Sequence, residues 1–228
     1  MSLSGRSVVI TGGTGFLGSA VCARFLEADA DVHVSWVHEH ELGHFAHADR
    51  CSMHQVELTD EDAVAAMYSG IDAPWASIHI AGGFAMGPVE AMSAADFEAM
   101  YRMNVVTTFL CCREAVRAMR AGGNGGRIVN VGARTVLDPA AGMLAYTTSK
   151  AAVASLTQCL AKEVIEDSIL VNAILPSMMD TAVNRAAMPD ADFDTWPKVD
   201  QVAEAIGFLA SPGNTLTTGA LVPVYGRA

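Results

Sequence analysis

Val8-Val9-Ile10-Thr11-Gly12-Gly13-Thr14-Gly15-Phe16-Leu17-Gly18 is the stretch on which the fold turns. Its apolar opening reads as a short buried strand, and its glycines end that strand in a turn. Leu17, Val21 and Phe25 then recur at i, i+4, the spacing of one helical face. Glycine tolerates positive φ and lets a backbone approach a pyrophosphate closely. The phosphate would rest on the unpaired N–H groups at the start of the following helix. Glycine-rich turns also make plain strand–helix connections. The position of this one, at the first strand–helix junction, favours a dinucleotide.

Outward from this point, short apolar runs alternate with longer amphipathic segments. Val32, Val34 and Trp36 alternate as a second strand, and Ile78 and Ile80 belong to a fourth that ends at Ala81-Gly82-Gly83. One long helix is expected from about Ala94 to Met119. Phe97, Met100, Tyr101, Asn104, Val105, Thr108, Phe109 and Cys112 fall on its inner face. Asn124-Gly125-Gly126 breaks it, and Ile128–Val131 forms a central strand. A helix carrying Tyr146, Lys150, Val153, Leu156 and Leu160 on one side follows, then a strand from Ile169 to Leu175 stopped by Pro176. A helix over 202–209 and a strand over 221–225 complete the chain. With no repeat, low-complexity tract or linker, residues 1–228 read as one α/β domain. The architecture expected is a Rossmann-type doubly wound parallel sheet with helices on both faces.

Composition narrows the function. Hydrophobic residues make up 51% of the 228 and charged residues 17%, which excludes a disordered chain. No apolar run approaches the ~18–20 residues needed to span a bilayer. The N-terminus lacks the apolar segment of about 7–15 residues found in signal peptides, so a cytoplasmic protein without membrane partners is expected. The formal charge of −11 argues against nucleic acid and leaves a small-molecule substrate as the expected partner. Five cysteines without CxxC spacing read as reduced small hydrophobes, not as a disulfide framework or a zinc site.

Two motifs compete for the chemistry. Tyr146 and Lys150 are four residues apart and so share one helical face. A phenol of pKa ~10 donates protons poorly at neutral pH, and a neighbouring ammonium stabilises its phenolate. A surface Tyr/Lys pair has the same spacing, and the upstream phosphate loop favours the functional reading. His40-Glu41-Leu42-Gly43-His44 matches HExxH, the zinc-protease pattern. Gly43 weakens its helix, His47 offers an awkward third ligand, and the segment falls at the adenosine edge of the expected cofactor site. It reads as a histidine-rich solvated helix, with no metal site expected and metalloprotease activity a remote alternative.

Taken together, Thr11-Gly12…Gly18, Ala81-Gly82, Met103-Asn104-Val105, Tyr146-x-x-x-Lys150 and Asn172-x-x-x-Pro176 followed by Thr181 resemble the short-chain dehydrogenases along nearly the whole chain. The resemblance implies Tyr146 as proton donor and Lys150 as the group that holds the nicotinamide ribose and lowers the tyrosine's pKa. Asn104 would anchor a water in the proton relay. Cofactor contacts are implied at Gly12, Gly15, Phe16, Leu17, Gly18 and Leu58, and at Ala81, Gly82 and Gly83. Tyr146, Lys150, Pro176 and Thr181 complete the set, Thr181 at the carboxamide. A homodimer or homotetramer is implied as well.

Three segments resemble the dihydropteridine reductase branch more closely: Ala81-Gly82-Gly83-Phe84-Ala85, Leu137-Asp138-x-x-x-Gly142-Met143-x-x-Tyr146 and Asp180-Thr181-x-x-Asn184-Arg185-x-x-Met188-Pro189-x-Ala191-Asp192-Phe193-x-x-Trp196. Most of the superfamily has a carbonyl-polarising serine 13 positions before the tyrosine, where this chain has Ala133, and Phe16 stands where many members have glycine. That branch also lacks the serine. The substrate implied is a quinonoid or conjugated carbonyl or imine acceptor, reduced with NAD(P)H. A dinucleotide-binding regulator without catalysis is the alternative that Ala133 favours. Glu39 after the second strand, with no nearby arginine or lysine, favours NAD(H) and leaves NADP(H) open. Residues 177–198 read as a substrate lid, with Met178, Met179, Met188, Phe193 and Trp196 available to cover a flat or apolar substrate.

Overall fold

The computed structural model describes residues 2–227. The strands are β1 Ser7–Thr11, β2 Asp31–Trp36, β3 Ser52–Gln55, β4 Ala76–His79, β5 Gly126–Val131, β6 Ile169–Pro176 and β7 Leu221–Val224. Between them run α1 Phe16–Leu26, α2 Glu39–Leu42, α3 Glu61–Ser69, α4 Ala94–Tyr101, α5 Thr107–Gly122, α6 Leu144–Glu163, α7 Ala182–Ala187 and α8 Val199–Leu209.

All seven strands join one parallel sheet in the order β3-β2-β1-β4-β5-β6-β7. The chain reverses direction across the sheet between β1 and β4, the switch point where open α/β sheets bind ligands beyond their strand ends. Strands buried on both faces need apolar residues throughout, which is why β1 reads as a continuous run. Val8 and Ile10 enter one core beneath α1 and α8, while Val9 enters the other beneath α3, α5 and α6. Asp60 caps α3 by accepting from the backbone N–H groups of Asp62 and Ala63 at 3.0 and 3.1 Å. Among the described residues no helix is long and apolar enough to cross a membrane.

Three expectations need correction. Ile80 lies outside β4, because β1 turns away at Gly12 and leaves only a backbone bond from Ile80 N to Thr11 O. Tyr225 likewise lies beyond β7. The long helix is broken by a π-helical turn over Arg102–Val106. Such a turn accommodates about one extra residue and rotates the inner face. Met100 is buried, while Tyr101 and Phe109, both expected inside, are exposed.

Candidate active site

The phosphate loop leaves no room for a side chain at Gly12 or Gly18. Gly12 has φ +67°, and a Cβ there would meet Ala81 N at 2.7 Å. One on Gly18 would lie 2.1 Å from the Gly12 carbonyl oxygen. The first glycine thus makes the turn and admits the end of β4, and the last seats α1 against the loop. Gly15 caps α1 without any side-chain hydrogen bond, so the first-turn N–H groups stay free for an anion. A cavity of about 1030 Å³ opens over this loop. Gly12, Gly15, Phe16, Leu17, Gly18, Leu58, Ala81 and Gly82 line it, all of them expected cofactor contacts. A cradle that a Cβ would fill, beside free helix N–H groups, fits a dinucleotide pyrophosphate.

Gly82 leads from this cavity to the second half of the site, since a Cβ there would meet Asn104 Oδ1 at 2.4 Å and Lys150 Nζ at 3.5 Å. Lys150 is buried and its Nζ donates to Val131 O at the end of β5, at 2.8 Å. Burial pushes its pKa down to about 8 and pushes Tyr146, on the same helix, up to about 12. The edge of one ring meets the face of the other between Phe84 and Tyr146, centroids 4.9 Å apart. Asn104, in the π turn, accepts from Gly83 N at 3.0 Å. Its Nδ2 donates to Gly83 O at 3.1 Å and Ser149 Oγ at 3.0 Å. Ser149 Oγ donates in turn to Tyr146 O at 2.7 Å. Asn104 thereby fixes the exit of β4 against α6 with its side chain alone. Ser149 was missed in the sequence, where a single hydroxyl in a helix carries no signal.

Pro176 ends β6 opposite Val224, and Thr181 caps α7, its Oγ1 accepting from Asn184 N at 3.2 Å. Neither lines the large cavity. Ala133 is extended and buried, so its methyl group stands where a donor was looked for. Thr135 offers no substitute, because its Oγ1 is sealed from solvent and makes no hydrogen bond.

At the adenosine end Glu41, not Glu39, lines the cavity. Glu39 begins α2, is exposed and does not line the cavity, whereas Glu41 accepts from Thr14 Oγ1 at 2.6 Å and His38 N at 2.9 Å. Burial would raise its pKa, but these hydrogen bonds outweigh that and hold it below the usual carboxylate range. The HExxH glutamate is thus tied to the phosphate loop, in a helix of only four residues. Its signal in the sequence was an acid shortly after β2 facing the loop's threonine. Within residues 177–198, Met179 packs into the core and Trp196 is buried against Phe193, centroids 5.0 Å apart. Met178 and Met188 remain exposed.

The family model for short chain dehydrogenase matches residues 6–192, and the chain belongs to that family of oxidoreductases. The short chain dehydrogenases/reductase notP' of Aspergillus versicolor is 30% identical, covering 98% of this chain and 87% of its own. Cis-4-hydroxycyclohexanecarboxylate dehydrogenase of Sinomonas cyclohexanicum is also 30% identical, over 97% and 95%. Among solved structures, BdcA in complex with NADPH superposes with a TM-score of 0.89 at 26% identity, covering 98% of this chain and 94% of that one.

Proposed function

We propose that the protein is an NAD(P)H-dependent reductase of a quinonoid or conjugated carbonyl or imine acceptor, with Tyr146 as proton donor. Ala133 carries this reading. A simple ketone gathers negative charge on oxygen as it is reduced, and one missing donor there costs ~10²–10³ in kcat. A quinonoid acceptor spreads that charge over a ring and gains aromatic character, so a single tyrosine proton suffices. Phe84, Met86 and Met103, exposed around the exit of β4, suit a flat ring. The likeness of three segments to dihydropteridine reductase points the same way.

Burial holds Tyr146 near 12, above a free phenol and not below it as the resemblance to the short-chain dehydrogenases implied. It therefore keeps its proton at neutral pH until charge develops on the acceptor. Lys150, near 8, remains mostly an ammonium there. Reduced nicotinamide, when bound, supplies the hydride. The Gly12–Gly18 loop would hold the pyrophosphate, Lys150 the ribose and Thr181 the carboxamide, while Asn104 positions Gly83. Glu41 at the adenosine end, with no arginine or lysine lining the cavity, supports NADH over NADPH. The NADPH held by BdcA keeps the phosphorylated cofactor in play. We place the enzyme in the cytoplasm as a homo-oligomer, and the exposed Phe109 on α5 suits self-association. The test is Tyr146→Phe assayed with NADH and NADPH on quinonoid dihydropterins. Turnover should fall ~10²–10⁴-fold with nucleotide affinity unchanged, and normal kcat in that variant would refute the role.

A further inference from the structure

The active site lies beyond the carboxyl ends of the strands. At the opposite edge, where the adjacent strands β1, β4 and β5 begin, two arginines crowd one indole. The register pairs Val8 with Ala76 and Ala76 with Arg127, which sets Trp75 between Arg6 and Arg127. The guanidinium carbon of Arg6 stands 3.8 Å from the Trp75 ring centroid, and that of Arg127 stands 4.8 Å from it. Trp75 is pinned there by its Nε1, which donates to Ala210 O at 2.9 Å. A ring face attracts a cation, but the attraction is modest and leaves two like charges side by side.

Neither charge is neutralised. Arg127 is buried and donates to two carbonyls, Gly126 O at 2.8 Å and Asn214 O at 2.6 Å. Its Nε, and Nη1 of Arg6, are buried with no acceptor. Among the described residues no ion pair includes either arginine, in a chain with 25 acidic residues to 14 lysines and arginines. Buried charge is ordinarily paired, because desolvation without a partner is costly. Burial, and then the neighbouring Arg6 charge, lowers Arg127 from the usual arginine range. The pair lacks a counter-ion.

A cleft of about 410 Å³ opens beside Arg6, with Gly5, Trp75, Asn124 and Gly125 also in its walls. The N–H groups of Gly5 and Gly125 make no backbone hydrogen bond among the described residues, and Asn124 brings a neutral carboxamide. Asp72 is the one acid lining the cleft. It is exposed, so water screens its charge, whereas Arg6 is partly buried. A guanidinium fork beside neutral donors matches the oxygens of a phosphate.

We propose that this cleft is an oxyanion site that takes a phosphate group, free or esterified, as the counter-ion of Arg6 and, at longer range, of Arg127. It is separate from the dinucleotide loop, which lies at the other edge of the sheet.

Thermal melts of the full-length protein are recorded in inorganic phosphate and in glycerol 3-phosphate, each against chloride at equal ionic strength. The melting temperature should rise saturably, by about 3–6 °C at ten times Kd. A rise with phosphate alone identifies the free ion, and a rise with glycerol 3-phosphate alone an esterified one. Arg6→Gln should lose the rise and Arg6→Lys should keep part of it. Gly18→Ala, at the dinucleotide loop, should keep it. Should Arg6→Gln not fold, Asn124→Ala decides in its place, with Kd expected to weaken at least threefold. No saturable rise with either anion, an undiminished rise in Arg6→Gln, an unchanged Kd in Asn124→Ala, or a rise lost in Gly18→Ala but kept in Arg6→Gln would each overturn the proposal. None of these readouts uses a substrate or a nucleotide, so they stand apart from the reductase assignment.

Discussion

Replacing Lys150 with methionine should make the nucleotide-free protein more stable at pH 7 while abolishing the proposed reductase activity. Lys150 is buried, and its ammonium has one protein partner, Val131 O at 2.8 Å. Burial lowers its pKa from 10.5 to about 8. At about 1.4 kcal/mol per pKa unit, keeping it charged at pH 7 costs the folded state about 3 kcal/mol. The unfolded chain binds the proton more tightly, so this cost is fully present below pH 8 and fades as pH rises from about 8 towards 10.5. About half of it remains at pH 9.5. Methionine keeps the volume and loses the hydrogen bond to Val131, a change of about 1 kcal/mol in the other direction. The net gain is about 2 kcal/mol at pH 7, or about 4–8 °C in Tm for a chain of this size, and close to zero at pH 9.5. Tyr146 acts oppositely at higher pH. Its pKa rises from 10.0 to about 12, so stability falls once the unfolded phenol ionises above about pH 10. Thermal melts of both proteins without nucleotide, at pH 7 and 9.5, measure the effect. A Lys150→Met protein that melts lower at pH 7, or gains equally at both pH values, refutes the account.

Three further outcomes are expected. Gly18→Ala places a methyl carbon 2.1 Å from the Gly12 carbonyl, so the loop must shift; nucleotide titration should show affinity for NADH and NADPH falling at least ~10-fold. Glu41→Gln removes negative charge from the adenosine end and should raise the NADPH/NADH ratio of kcat/KM at least ~3-fold, an unchanged ratio showing that Glu41 does not read the ribose. Ala133→Ser should raise kcat/KM for plain ketones more than for quinonoid acceptors, and a parent enzyme already preferring plain ketones would sink the substrate assignment.

Where burial alone sets the residue pattern, the sequence was a good guide. Val8–Ile10, Ile128–Asn130 and Ile169–Leu175 are buried on both faces, so their apolar runs, broken only by the buried Asn130 and Asn172, read as central parallel strands. Gly12 and Gly18 were readable because backbone contact forbids any side chain. Strand order was not, since it depends on how crossovers pack rather than on any one segment. The break at Arg102–Val106 was hidden because it contains neither glycine nor proline, and a π turn needs neither. Glu41 was concealed by its place in a more familiar motif, and only its bond to Thr14 reveals its surroundings. Trp196 had the composition of a substrate cover, but it is buried within its own segment against Phe193.

The π turn also bears on how this chain could change by insertion and deletion. Removing one residue from Arg102–Val106 would let α4 and α5 fuse into a continuous α-helix. Everything on the amino-terminal side would then swing through about 100°, the angle between successive α-helical residues. Met100 would leave the core and Tyr101 would enter it, while the anchor between Asn104 and Gly83 would be torn from the β4 exit. A one-residue deletion, harmless in most surface loops, is here a rotation of an entire wall of the cleft.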